Sequence, residues 1–290
     1  NYTHFLSEKS FVDATLSWAA NRQTYDATRL QQLYLREENF TNQAYRLSLQ
    51  SNHKFNAQHS LRLGLIVSNL HFKLLNRTTD GPRVSTTVNQ QGDTYLLQAY
   101  GQWKYRISPT LTLNSGVHAT VLALNNQSSI EPRGGFRWNL TPRHALTAGM
   151  GIHSRTEALS TYFAEVKSVN GNVSLANKNL SLLKSAHFVL GYEFRPRDDW
   201  RWQVEAYYQR HYDVAIGTAN AKGAFLRSES LLNLMDGYTT DSLVSDGTGR
   251  NYGLDFTLEK FLTQGFYFIL TTSFYQAKYT ARDGVERNSR

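Results

Sequence analysis

The sequence predicts an all-β protein, an antiparallel up-and-down sheet of about eleven long strands. Three observations carry that reading. Apolar and polar residues alternate with period 2 through many segments, which is the side-chain period of a strand. Short and long connections alternate from one segment to the next. The aromatic residues, 17 Tyr, 15 Phe and 5 Trp in 290 residues, gather near segment ends.

The segments follow in order. The first, 11–18, ends on Trp18, and the next two, 44–54 and 59–74, flank a short connection at Phe55–Gln58. In 94–107 one parity reads Tyr95, Leu97, Ala99, Gly101, Trp103, Tyr105 and Ile107, while Gln98, Gln102, Lys104 and Arg106 occupy the other. In 110–123, Leu111, Leu113, Val117, Ala119 and Val121 oppose Thr112, Asn114, Gly116, His118 and Thr120. Segments 130–140 and 144–154 flank Thr141-Pro142-Arg143. Segments 185–195 and 200–212 carry Phe188, Leu190 and Tyr192, then Trp200, Trp202 and Val204, on their apolar parity. Segments 250–261 and 265–279 close the series around Leu262–Gln264. Many of these exceed the five or six residues usual for globular strands.

Composition excludes several alternatives. There is no Cys, hence no disulfide framework, thiolate metal site or thiol nucleophile. The longest apolar run is the five residues Phe266–Leu270, against the roughly 20 that a membrane-spanning helix needs. Mean hydropathy is low, −0.48, yet the aromatic content of 13% argues against disorder. The net charge of +8 comes from scattered Lys and Arg with no nucleic-acid-binding motif, so no nucleic acid is expected as a partner. The chain opens at Asn1 and stops at Arg290 in a polar stretch, which reads as an internal fragment.

The connections locate the sheet. Those near Phe55–Gln58, Ser108-Pro109, 141–143, Pro196–Asp199 and Leu262–Gln264 are short. Between them fall longer polar ones, roughly 19–43, 75–93, 155–184 and 213–249, with one short exception near 124–129. Barrels of outer membranes keep short turns at one end and long loops at the other. Trp103, Trp138, Trp200 and Trp202 stand on the apolar parity beside short turns, as an interfacial girdle requires. The expectation is a transmembrane β-barrel wall. Leu97, Leu113, Leu146, Leu190 and Leu254 should meet lipid, and Gln98, Asn114, Thr147, Gly191 and Asp255 should face the lumen. Glu131, Arg133, Arg137, Glu193, Arg201 and Glu259 belong to the same polar parity, and unpaired charges of this kind do not suit a packed core. For Thr28–Phe40 two readings stay open. Leu30, Leu33 and Tyr34 stand at helical spacing, and the neighbouring strands could equally run on into the connection.

Three stretches resemble a known family. Gln50–Arg62 resembles a periplasmic hairpin of TonB-dependent outer-membrane receptors, as does Glu131–Trp138 followed by Thr141–Ser154. Gly249–Lys260, then Gly265–Leu270 and Asp283–Asn288, is similar to the late barrel strands of that family, in particular its carboxypeptidase-regulatory-like subtype. The resemblance implies a 22-stranded barrel closed by an N-terminal plug, of which residues 1–290 would form roughly half, without plug domain, signal peptide or final strands. It further implies the outer membrane of a Gram-negative cell and its lipid as surroundings, and a TonB-type energy-transducing complex acting through the plug as partner. The implied function is active uptake of a bulky ligand: a siderophore, vitamin, oligosaccharide or peptide. A passive porin-type channel and a surface binding or adhesion barrel are the alternatives.

Catalytic motifs are absent, so no enzyme activity and no cofactor is expected. The nine His form no metal motif, and Asp236, Asp241 and Asp246 have the spacing of no known Ca²⁺ loop. Binding residues concentrate in long loops held by a rigid scaffold. The candidates for gripping a polar solute are therefore Arg155, Glu157, Tyr162 and Phe163 in one long connection and Arg227, Glu229, Asp236 and Tyr238 in the other.

Overall fold

The computed structural model describes residues 1–29, 34–80, 83–167, 170–220, 225–234 and 239–289. Thirteen antiparallel strands form one sheet in which sequence neighbours pair throughout. They are β1 (Tyr2–Ser7), β2 (Ser10–Arg29), β3 (Tyr34–Lys54), β4 (His59–Asp80), β5 (Arg83–Arg106), β6 (Leu111–Leu122), β7 (Gln127–Thr141) and β8 (His144–Arg155). After a connection holding a one-turn helix, α1 (Leu159–Tyr162), and a minute hairpin, β9 (Val166–Lys167) and β10 (Val173–Ser174), the sheet resumes. It continues with β11 (Leu183–Phe194), β12 (Trp200–Gly217), β13 (Leu243–Thr263), β14 (Phe266–Thr280) and β15 (Glu286–Asn288). The two ends, β1 and β15, do not pair with each other, so the sheet is open.

All eleven expected segments are strands. The two additional ones, β1 and β15, have six and three residues, too few for alternation to stand out. A larger difference concerns the connections. Residues 19–43 and 75–93 are not loops: the β2–β3 ladder runs unbroken from Ser10↔His53 to Arg29↔Tyr34, and the β4–β5 ladder reaches Asp80↔Arg83. Of the two readings of Thr28–Phe40, strand extension holds for 28–29 and 34–40, while Leu30 and Leu33 lie outside the described residues.

The reason is physical. Alternation records which face meets an apolar medium, whereas a ladder needs only paired N–H and C=O groups. Where both faces are polar the ladder continues and the alternation fades. In the upper β3, the side chain of Glu37 accepts from Arg77 Nε at 2.6 Å on one face, and Glu38 accepts from Gln23 Nε2 at 2.9 Å on the other.

The two faces differ as the parity requires. Leu16, Leu65, Leu97, Val117, Met150, Leu190 and Leu254 stand exposed on one face, although they are the residues a soluble protein would bury. The same face carries the aromatic groups at the short-turn end. His59 stacks on Tyr105 and Trp103, His144 on Phe194, and Trp200 meets Phe268 edge-on at 5.6 Å. The opposite face is concave. Residues of six consecutive strands of the sheet, β4 through β8 and β11, surround a depression of about 700 Å³ there, and Asn114 is among them.

Candidate functional site

Two regions of the concave side carry the chemistry: a polar wall and a cap above it. The wall is built in rows, because each strand places every second residue inward and the register aligns them. One row runs Gln50–Gly64–Tyr100–His118–Glu131. Tyr100 lies flat over Gly64, where any Cβ would collide with its ring, and its hydroxyl donates to Gln50 Oε1 at 2.8 Å. Glu131 is buried, and its carboxylate gathers Ser154 Oγ at 2.5 Å, Arg133 Nη2 at 2.5 Å and His118 Nδ1 at 3.0 Å. Four partners are what a buried carboxylate needs to offset its desolvation; the fourth here is Thr120 Oγ1 at 3.4 Å. Lower on the wall Glu193 holds Arg137 and Arg195, and Arg201 pairs with Glu259 at 2.6 Å. His153 and His187, on adjacent strands, bring their rings to 4.7 Å.

The cap is made by the connections 156–182 and 218–242. They do not project outward. Tyr162, Phe163, Leu180, Leu182, Phe225, Leu231 and Leu243 form one apolar cluster with Phe40, Phe72, Leu74, Val88 and Leu122, which belong to the inward parity of β3 to β6. Phe163 and Phe72 rings lie 4.5 Å apart. Glu165 fixes the crossing: its N–H donates to Thr87 O at 2.7 Å, and its carboxylate accepts from Asn89 N–H at 3.2 Å and Gln90 Nε2 at 3.1 Å. The fully buried Asn177 links the two connections, donating to Asp241 O at 2.7 Å and accepting from Leu243 N–H at 2.8 Å.

The sequence candidates separate accordingly. Arg155 ends β8 with an exposed side chain. Glu157, Tyr162 and Phe163 lie inside the cap, where the Glu157 N–H donates to Tyr162 Oη at 3.2 Å. Burial raises the Glu157 carboxyl above its ordinary range, with the Arg155 charge pulling the other way. Burial, reinforced by the Glu157 charge, pushes the Tyr162 phenol up to about 12. Arg227 is exposed, and Glu229 accepts from the N–H of Leu226. Asp236 and Tyr238 lie outside the described residues. Asp241 serves the cap itself, accepting from Phe225 N–H at 3.1 Å and Thr239 Oγ1 at 3.1 Å. Among the described residues no group of three His, Asp or Glu is placed to hold a metal ion.

The Glu131 and His153–His187 contacts escaped sequence reasoning in part. Parity puts these residues on one face, but only the register brings His118 to Glu131 and His187 next to His153.

Comparison with known proteins defines the class. The family model described as TonB dependent receptor-like, beta-barrel matches residues 1–289, and the chain belongs to that family. Among solved structures, the ferric-catecholate import receptor Fiu from Escherichia coli K12 is similar, with a TM-score of 0.67 at 12% identity over 98% of this chain and 48% of that one. The ferric yersiniabactin uptake receptor FyuA from Yersinia pestis gives 0.66 at 11% identity over 95% and 41%. The siderophore receptor PirA from Pseudomonas aeruginosa gives 0.56 at 13% over 96% and 57%. At these identities the likeness is one of fold, and the chain spans about half the length of each of the three. No curated protein matches the chain.

Proposed function

We propose that this chain is the wall of an outer-membrane receptor that takes up a bulky solute, with a TonB-type complex supplying the energy through a plug domain. The family match over residues 1–289 carries the reading. An apolar outer face, a polar inner face and an aromatic band at the turn end are what a lipid-embedded barrel needs. Recognition falls to the outer end. The exposed Arg155 and Arg227 meet the solute there, with Glu229, Asp236 and Tyr238 beside them in the second connection, while Glu157, Tyr162 and Phe163 hold the cap in shape. Siderophores, vitamins, oligosaccharides and peptides are the solute classes considered.

The test uses cells carrying the full-length receptor. Uptake of its solute should stop when the energy-transducing protein is deleted, and persist at the same rate if the barrel is a passive channel. Replacing 218–242 by a tight turn should leave the barrel assembled and weaken solute binding at least tenfold, about 1.4 kcal/mol. Unchanged binding in an assembled variant would move recognition away from these connections.

A further inference from the structure

Below the cap, the wall carries an uncompensated positive trough. Two rows cross it. The upper reads Asn52–Arg62–Gln102–Gly116–Arg133–Gly151–His187, and the lower reads Lys54–Ser60–Lys104–Asn114–Gly135–Gly149–Val189. At the β8 side the rows bound the depression of about 700 Å³. At the β3 side they bound a second, of about 540 Å³, and Arg62, Gln102 and Asn114 line both. The second depression is lined by Lys9, Lys54, Arg62, Lys104 and Arg106 and by no carboxylate.

None of these five cations takes part in an ion pair among the described residues, and Arg62 Nε donates only to the neutral Asn52 Oδ1, at 2.9 Å. Carboxylates of the row above are engaged elsewhere. Asp13 accepts from Thr3 Oγ1 at 2.7 Å and Gln50 Nε2 at 3.3 Å, and Glu131 neutralises Arg133.

The floor is equally specific. A Cβ on Gly135 would stand 2.7 Å from the Ala148 carbonyl oxygen, so packing of the sheet itself explains that glycine. Gly149 is different: a Cβ there would meet nothing within 4 Å. Glycine inside a strand weakens it and often marks a place where a ligand or another backbone comes close. A concave site of several hundred Å³ is of small-molecule size, and cationic side chains lining a pore select anions and phosphates.

We propose that this trough binds an anionic group of a solute, a carboxylate or a phosphate, with Lys54, Arg62 and Lys104 as its charge partners and Gly149 as its open floor. The proposal deepens the uptake reading by naming the charge of what travels along the wall. Its test needs no transport, so the two fail separately.

Gly149→Cys is introduced into the full-length receptor, freed of other cysteines, with Asn114→Cys as a second reporter should the first not assemble. Labelling rates are measured with a sulfonate-bearing and a trimethylammonium-bearing methanethiosulfonate of similar size. A cleft of one charge sign raises the local concentration of counter-ions. The anionic reagent should react at least tenfold faster, relative to the same pair of reagents on an exposed control cysteine. Arg62→Gln with Lys104→Gln should erase most of that preference. Inorganic phosphate or tricarballylate should slow the labelling at least threefold, and the stronger protector tells phosphate from carboxylate. Equal rates for the two reagents, or no protection by either anion, overturn the proposal. No labelling at either position overturns it as well, because another part of the receptor then covers the trough.

Discussion

The first strands of the sheet and the middle ones solve the same crossing differently. β2 to β5 have 20, 21, 22 and 24 residues, whereas β6, β8 and β11 have 12 each. Ten extra residues carry a strand roughly 33 Å further. The tall half ends in paired strands that need no side-chain core, because the ladder satisfies the backbone. On the low half, β8 and β12 continue into irregular segments whose backbone must be satisfied locally. These segments lean across onto the tall half, burying Phe163 against Phe72 and anchoring Glu165 on β5. A long polar connection in the sequence thus has two structural outcomes. The difference lies in the apolar residues it carries: 156–182 brings Tyr162, Phe163, Leu180 and Leu182 to the cap.

The comparison breaks most sharply at Phe163. Phe163→Ala removes the ring that joins the low half to the tall one. Loss of a buried Phe costs about 3–5 kcal/mol, and here the cost falls on the cap alone. Hydrogen exchange should accelerate through 156–182 while the strands keep their protection. Uniform acceleration through β4 and β5 as well would mean that the cap and the tall wall form one cooperative unit.

The second contrast is between the two faces. Leu113→Arg in the full-length barrel should cost about 2–4 kcal/mol in unfolding from bilayers near the midplane. Asn114→Arg, one residue on, should cost well under half as much. Equal costs would remove the distinction between the faces.

The smallest effect is a pH dependence of the cap. Glu157 has a raised pKa in the folded cap, so the folded form holds the proton more tightly than the unfolded one. Its contribution is therefore complete below the ordinary glutamate value of about 4.3 and declines as pH rises through the folded value. Protease resistance of 156–182 should fall across that window in the native receptor. In Glu157→Gln it should be flat.

Much of this was legible in the sequence. Period-2 alternation gave both faces, and prolines and polar triplets such as Thr141-Pro142-Arg143 gave the turns. What the pattern could not give was the extent of β2 to β5, since polar residues on both faces carry no alternation. It also could not show that Tyr162 and Phe163 point into a core, because a buried aromatic and a ligand-gripping one read alike along the chain. The rows were hidden for another reason. Arg62, Gln102 and Asn114 are 40 and 12 residues apart in sequence, and only the register sets them side by side.

The claim on which everything rests is that one face of this sheet meets lipid and the other water. Leu113→Cys and Asn114→Cys in the full-length receptor, each as the sole cysteine and reconstituted in bilayers, test it directly. A lipid-soluble maleimide should modify position 113 and a membrane-impermeant sulfonated one position 114, each with at least a tenfold preference. If both positions react with the water-soluble reagent alone, the sheet does not stand in a membrane and the uptake reading falls with it.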